Sequence, residues 1–73
     1  MAKLIKISPT KAYRVEGIKI KGQDYISIRQ MYATAKDPKY KPAKQGITVP
    51  DEIRGRLLKS IKSIDDFKEL DVD

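Results

Sequence analysis

Cysteine and histidine are both absent from this 73-residue chain, tryptophan is absent, and phenylalanine occurs once. The first two absences remove disulfides, thiolate nucleophiles, imidazole bases and nearly every zinc or haem site. No apolar run approaches the roughly 18 residues of a membrane span, and the opening MAKLIKISPTK reaches a lysine before any signal-type apolar region forms. The four glycines at 17, 22, 46 and 55 are scattered and do not match a phosphate-binding loop. Catalysis would have to rest on carboxylates, Lys, Tyr or Ser. The adjacent acidic pair Asp65-Asp66 falls late in an amphipathic stretch, where neighbouring side chains point about 100° apart and do not share a proton. Ser27 and Ser60 have no base beside them in sequence. An enzyme is not expected, nor a metal or cofactor.

What is present is charge, unevenly placed. The net charge is +6. Residues 1–46 carry eleven Lys/Arg against Glu16, Asp24 and Asp37, a net +8, while residues 47–73 carry five basic and seven acidic residues, a net −2. Such asymmetry points the first part at a polyanion. Tyr13, Tyr25, Tyr32 and Tyr40 all lie in that basic part, whereas Phe67 does not. Cations along a backbone with aromatic rings among them are what unpaired nucleic acid needs, each stacked base contributing about 1–3 kcal/mol. Tyr13 is expected to cap the core, and Tyr32 and Tyr40 to make contact.

The pattern along the chain is short strands, then one helix. KLIKI ends at Ser8-Pro9; AYRV, the EG pair and IKIKG follow, with Gly17 and Gly22 placed for reversals. DYISIRQMY is the strongest strand. Its period of two sends Ile26 and Ile28 to the core, and Tyr25, Ser27 and Arg29 to a wet cationic face that also draws on Lys19 and Lys21. ATAKDPKYKPAKQ reads as a loop presenting Lys39, Tyr40, Lys41 and Lys44, and GITV as a short last strand. Pro50 suits the first helical position, with Asp51 and Glu52 at the positive end of the dipole. Ile53, Leu57, Leu58, Ile61 and Ile64 then form an apolar stripe that Phe67 and Leu70 prolong, with Gly55 a weak point of about 1 kcal/mol.

A chain this short buries only about 60% of its unfolded surface and usually needs outside support. Leu57, Leu58, Ile61, Ile64, Phe67 and Leu70 exceed what one small sheet can cover. A two-fold dimer through the helices is the expected solution, and a helix end folded back on its own sheet is the competing one.

The stretch YISIRQMY…KPAKQGITVPDEIRGRLLKSIKSIDD resembles the positive cofactor 4 family of single-stranded-DNA-binding transcriptional coactivators. Ile26-Ser27-Ile28-Arg29 is similar to the family's strand motif, and Tyr32 stands at its stacking aromatic. Lys41 through Val49 is similar to the following loop and strand, and the likeness runs from about Tyr13 to Leu70. The resemblance implies an α+β fold: a four-stranded curved antiparallel sheet over about 3–49, then one long kinked helix over about 50–70. It also implies a homodimer through the helices, with single-stranded DNA held on the basic faces by Arg29, Tyr32, Lys41 and Lys44. Departures are Ser27 and Gln30 at acidic family positions, Gln45 at a loop cation, and Ile20 where some members place a stacking Phe.

The expectation is therefore one domain over 1–73: a soluble intracellular, non-enzymatic homodimer that binds single-stranded or melted DNA with little sequence preference. It would act in transcription, replication or repair without a membrane or cofactor. Two alternatives stand beside it. One is a module docking on a transcription or replication protein through IDDFKELDVD, and the other is an RNA-binding basic domain.

Overall fold

The computed structural model describes residues 2–71. Strands β1 (Ala2–Ser8), β2 (Lys11–Ile20), β3 (Gln23–Tyr32) and β4 (Lys41–Pro50) form one antiparallel meander in that spatial order. The β2–β3 reversal takes two residues, Lys21 at φ 50° and Gly22 at φ 80°. Two successive positive φ values are the hairpin turn whose twist matches the strands. It pairs Ile20 with Gln23 and sets the register of every pair behind it, through Ala12 with Met31 to Lys11 with Tyr32. At the β1–β2 turn the Ser8 hydroxyl accepts from the backbone N–H of Thr10 (3.2 Å) and of Lys11 (3.1 Å).

Three sequence expectations are corrected. Gly17 makes no reversal: AYRV and IKI are one strand, in which Gly17 pairs with Ile26. The final strand is longer than GITV. It begins at Lys41, so KPAKQ, expected as loop, runs along β3, and Pro42 is tolerated because β4 is an edge. Between the pairs Arg29–Gly46 and Met31–Pro42, residues 43–45 of β4 oppose only Gln30, a bulge that relieves the ladder.

The third correction concerns the helix. Pro50 is still extended (φ −62°, ψ 139°); Asp51–Ile53 form a 3₁₀ turn and α1 covers only Arg54–Lys62, not about 50–70. Its end is closed locally. Ser63 N–H donates to Lys59 O (3.1 Å), Ile64 N–H to Ile61 O (3.2 Å), and the Ser63 hydroxyl to Ser60 O (2.9 Å). Continuing would set Asp65 and Asp66 against the negative end of the helix dipole, directly after β-branched Ile64. Ile64, Phe67 and Leu70 therefore lie on irregular exposed chain, Phe67 at 84% exposure.

Cross-strand partners share a face of the sheet. One face is mainly apolar, centred on the row Lys3–Val15–Ile28–Ile47, with Gly17–Ile26–Val49 on one side and Ile5–Tyr13 on the other. The opposite face carries the rows Leu4–Arg14–Arg29–Gly46 and Glu16–Ser27–Thr48. Ile26 and Ile28, expected in the core, are only half-buried, whereas Ala12, Ser27 and Met31 on the polar face are buried, as is Ala33 just past β3. Of these, Ala12, Ser27 and Ala33 are small side chains, and Met31 is, among the described residues, the one large apolar side chain buried on that face. The apolar face, by contrast, leaves Ile5 and Ile47 more than half exposed. Among the described residues no large side chain is fully buried. The 3₁₀ turn touches β3, and α1 packs chiefly against that turn, with Leu58 and Ile61 exposed.

Candidate nucleic-acid interface

On the polar face, the two-residue hairpin brings Arg14 and Arg29 directly opposite one another. Like charges in that position repel. The structure parts them. Arg29 Nη1 donates to Ala43 O in the β4 bulge at 3.1 Å, and its guanidinium carbon lies 3.5 Å from where a Cβ on Gly46 would stand. Arg14 leans toward Glu16, with Nε 3.8 Å from Oε1, too far for a hydrogen bond. Both side chains of that pair are about one-third exposed, so the cationic charge reaches solvent. Tyr25 is on the same face, half-buried, its hydroxyl donating to Gln23 Oε1 at 3.0 Å. Lys44 stands exposed on the bulge beside the Arg29–Gly46 pair.

The other predicted residues occupy the two ends of the sheet. Tyr32 and Lys41 pair at the loop end in the row Lys11–Tyr32–Lys41, on the side of the apolar face, and Tyr32 is 46% exposed. Lys41 Nζ lies 2.7 Å from Asp37 Oδ2. The hydrogen bond and charge of Asp37 hold the Lys41 ammonium above its usual pKa. In return the bond from Lys41, with that from the backbone of Lys39, holds Asp37 below the usual carboxylate value. Lys39 is exposed. Tyr40 closes the loop onto β1, its hydroxyl donating to Ser8 O at 2.6 Å, and its ring is half-buried. At the hairpin end, Lys19 pairs with Asp24 at 3.1 Å and Lys21 occupies the turn itself. Tyr13 lies on the apolar face beside Ile5.

The nine candidates thus fall into three groups. Arg29 and Tyr25 share one face, with Lys44 on the adjacent bulge; Tyr32, Lys39, Tyr40 and Lys41 gather at the loop end; Lys19 and Lys21 stand apart at the hairpin. Arg14 belongs with Arg29 and was missed from sequence. Its signal was present, since counting back from a two-residue turn at Lys21-Gly22 places it opposite Arg29. Among the described residues no three acidic side chains come close enough to hold a metal ion, and no helix is long and apolar enough to cross a membrane.

The fold has solved counterparts. The PC4 homolog BPSL1147 from Burkholderia pseudomallei superposes with a TM-score of 0.71 in its orthorhombic form, at 18% identity, covering 82% of this chain and 80% of that one. Its tetragonal form gives 0.68 at 20% identity over 85% and 94% of the two chains. The bacteriophage T5 homolog of the eukaryotic transcription coactivator PC4, described as implicated in recombination-dependent DNA replication, gives 0.62 at 19% identity over 84% and 70%. Comparison with curated proteins yields no match. These likenesses are of fold; the sequence supplies the family, because the pattern described as Transcriptional Coactivator p15 (PC4) matches residues 7–60, from the end of β1 into α1. The chain belongs to the transcriptional coactivator p15 (PC4) family, a non-catalytic family of single-stranded-DNA-binding, transcription-associated proteins.

Proposed function

We propose that two copies of this protein pair through their helices and apolar sheet faces, and hold unpaired DNA, with little preference for sequence, on the polar faces left open. The observation that carries this reading is the division of the sheet: Val15, Ile28 and Ile47 on one side, Arg14 and Arg29 on the other. A half-exposed Ile or Leu gains roughly 1 kcal/mol on complete burial. Ile5, Ile47, Leu58 and Ile61 are about half exposed, so a partner covering them gains several times that before association costs. Leu57, Leu58 and Ile61 are the natural helix contribution, and Ile64, Phe67 and Leu70 would join them if the partner orders the segment after Lys62.

The polar face would take phosphates on Arg29, Arg14 and Lys44, with Tyr25 beside them. Tyr32 and Lys41 lie at the loop-end margin on the apolar-face side. With Lys39 and Tyr40 they would extend the path around the end of the sheet, outside the area the partner covers, and Lys19 and Lys21 would meet the strand at the hairpin end. Backbone contacts and stacking carry no sequence code. Anisotropy of labelled oligo-dT tests the reading. If about four phosphates are neutralised, log affinity falls with log salt at a slope near −3. Duplex that competes equally, or a flat salt response, refutes the proposal, and matched oligo-dU measures any preference for RNA.

A second reading has its own observation. Residues 64–71 are exposed and irregular, with Phe67 among Asp65, Asp66, Glu69 and Asp71. Such a segment suits docking on a transcription or replication protein; Val72 and Asp73, included in the sequence-based expectation, lie outside the described residues. Removing residues 65–73 discriminates. Loss of the dimer assigns the segment to assembly, and an intact DNA-binding dimer assigns it to docking.

A further inference from the structure

We infer that Asp37 is a built-in competitor for DNA phosphate at Lys41, a carboxylate that occupies the lysine in the free protein and must be displaced when a strand binds. The inference rests on the proposed DNA-binding reading and adds the residue that limits its affinity.

Asp37 is the only carboxylate between Asp24 and Asp51. Its main chain is held in place: Thr34 N–H donates to Asp37 O (3.0 Å), and Asp37 N–H donates to Thr34 O (3.2 Å) and Oγ1 (3.0 Å). Its two side-chain oxygens then divide their work. Oδ1 accepts from the backbone N–H of Lys39 at 3.3 Å, and Oδ2 meets Lys41 Nζ at 2.7 Å. A backbone N–H and an ammonium converging on two oxygens of one anion are also what a phosphodiester would use. Tyr32, the cross-strand partner of Lys41, offers an exposed ring beside that position.

The pair can open without unfolding anything. Lys41 and Asp37 side chains are 56% and 43% exposed, and the ammonium swings on a flexible stem. Lys36 and Lys39 keep the loop cationic whichever anion sits on Lys41. A strand is thus still attracted, but gains one contact fewer in net terms than the lysine count implies. The bland alternative is that Asp37 only orders the loop. That role lies mainly in its main chain and in Oδ1, both of which asparagine retains.

The test is a double-mutant cycle with Asp37→Asn and Lys41→Gln, read by oligo-dT anisotropy at two salt concentrations, with thermal melting of each variant. Asp37→Asn should tighten oligo-dT binding by about two- to fivefold, the range an exposed ion pair represents. The gain should shrink as salt rises and vanish in the Lys41→Gln background. Unchanged or weaker binding by Asp37→Asn overturns the inference, and so does a gain that persists without Lys41, which would be a general charge effect. A wild type that binds oligo-dT with no gain in the variant defeats the inference alone. A wild type that does not bind oligo-dT defeats the underlying reading as well.

Discussion

Gly46→Ala separates the contribution of fold from that of the guanidinium. Gly46 does not have positive φ, since among the described glycines only Gly22 does, so alanine meets no backbone strain there. By chain entropy alone the substitution would stabilise by about 0.4–1 kcal/mol. Space decides otherwise. The new Cβ would stand 3.0 Å from Ile28 O, 3.3 Å from Arg29 Cα and 3.5 Å from Arg29 Cζ. The first two are main-chain atoms of the adjacent strand, which cannot yield by changing a rotamer, so β4 must move away from β3. Overpacking of this kind costs about 1–3 kcal/mol, leaving a net loss near 1 kcal/mol. For a domain this small that is a fall in Tm of roughly 4–8 °C. The displaced strand also carries Ala43 O away from Arg29 Nη1, so oligo-dT binding should weaken beyond what instability explains. Gly22→Ala is the control: it has open space but φ +80°, and costs about 1–2 kcal/mol through the backbone at a turn remote from Arg29. Melting by circular dichroism, and anisotropy measured below the transition, compare the two. A Gly46→Ala protein as stable as wild type with unchanged binding refutes the close approach of β4 to Arg29.

Arg14→Ala should weaken oligo-dT of every sequence alike and reduce the salt slope by about 0.7, the loss of one phosphate contact, measured by titration at several salt concentrations. Ile61→Asp places a carboxylate in the helix stripe and should shift sedimentation from dimer to single protomers while the strands persist in circular dichroism. The Asp37–Lys41 pair predicts two limits in pH. Asp37 is depressed by Lys41, so its stabilising contribution is present above the unfolded carboxylate range and is lost as pH falls below about 4. Lys41 is raised by Asp37, so that contribution is lost again as pH rises above about 10. The difference in Tm between wild type and Asp37→Asn should be flat between these limits, small, and reduced by salt, because both groups are exposed.

Local signals in the sequence carried the hairpin and β3, through Lys21-Gly22 between alternating isoleucines and ISI before Arg29; Pro50-Asp51-Glu52 marked the exit from the sheet, but Pro50 is extended and a 3₁₀ turn precedes the helix. What they did not carry was set by tertiary pairing. Gly17 looks like a punctuation mark, yet the tight turn five residues later already fixes the register, and Gly17 falls inside the ladder opposite Ile26. Lys41-Pro42 looks like a loop because proline cannot donate to a ladder, but an edge strand has no partner on one side and the bulge at 43–45 absorbs the mismatch. The stripe from Ile53 to Leu70 keeps a helical period beyond Lys62, where the dipole and the Asp65-Asp66 pair oppose it. Arg29 and Tyr32 stand in one sequence motif, yet a three-residue separation on a regular strand sends them to opposite faces. The Asp37–Lys41 contact depends on how the loop folds, which composition does not encode.

Sedimentation equilibrium of the protein alone and with a short labelled oligo-dT tests the central claim most directly. The account predicts two protomers in the free protein and in the complex, because the centre of the apolar face and the helix join them while the polar face and the loop end take the strand. A single protomer carrying the oligonucleotide, or a dimer that dissociates as the strand binds, would contradict it.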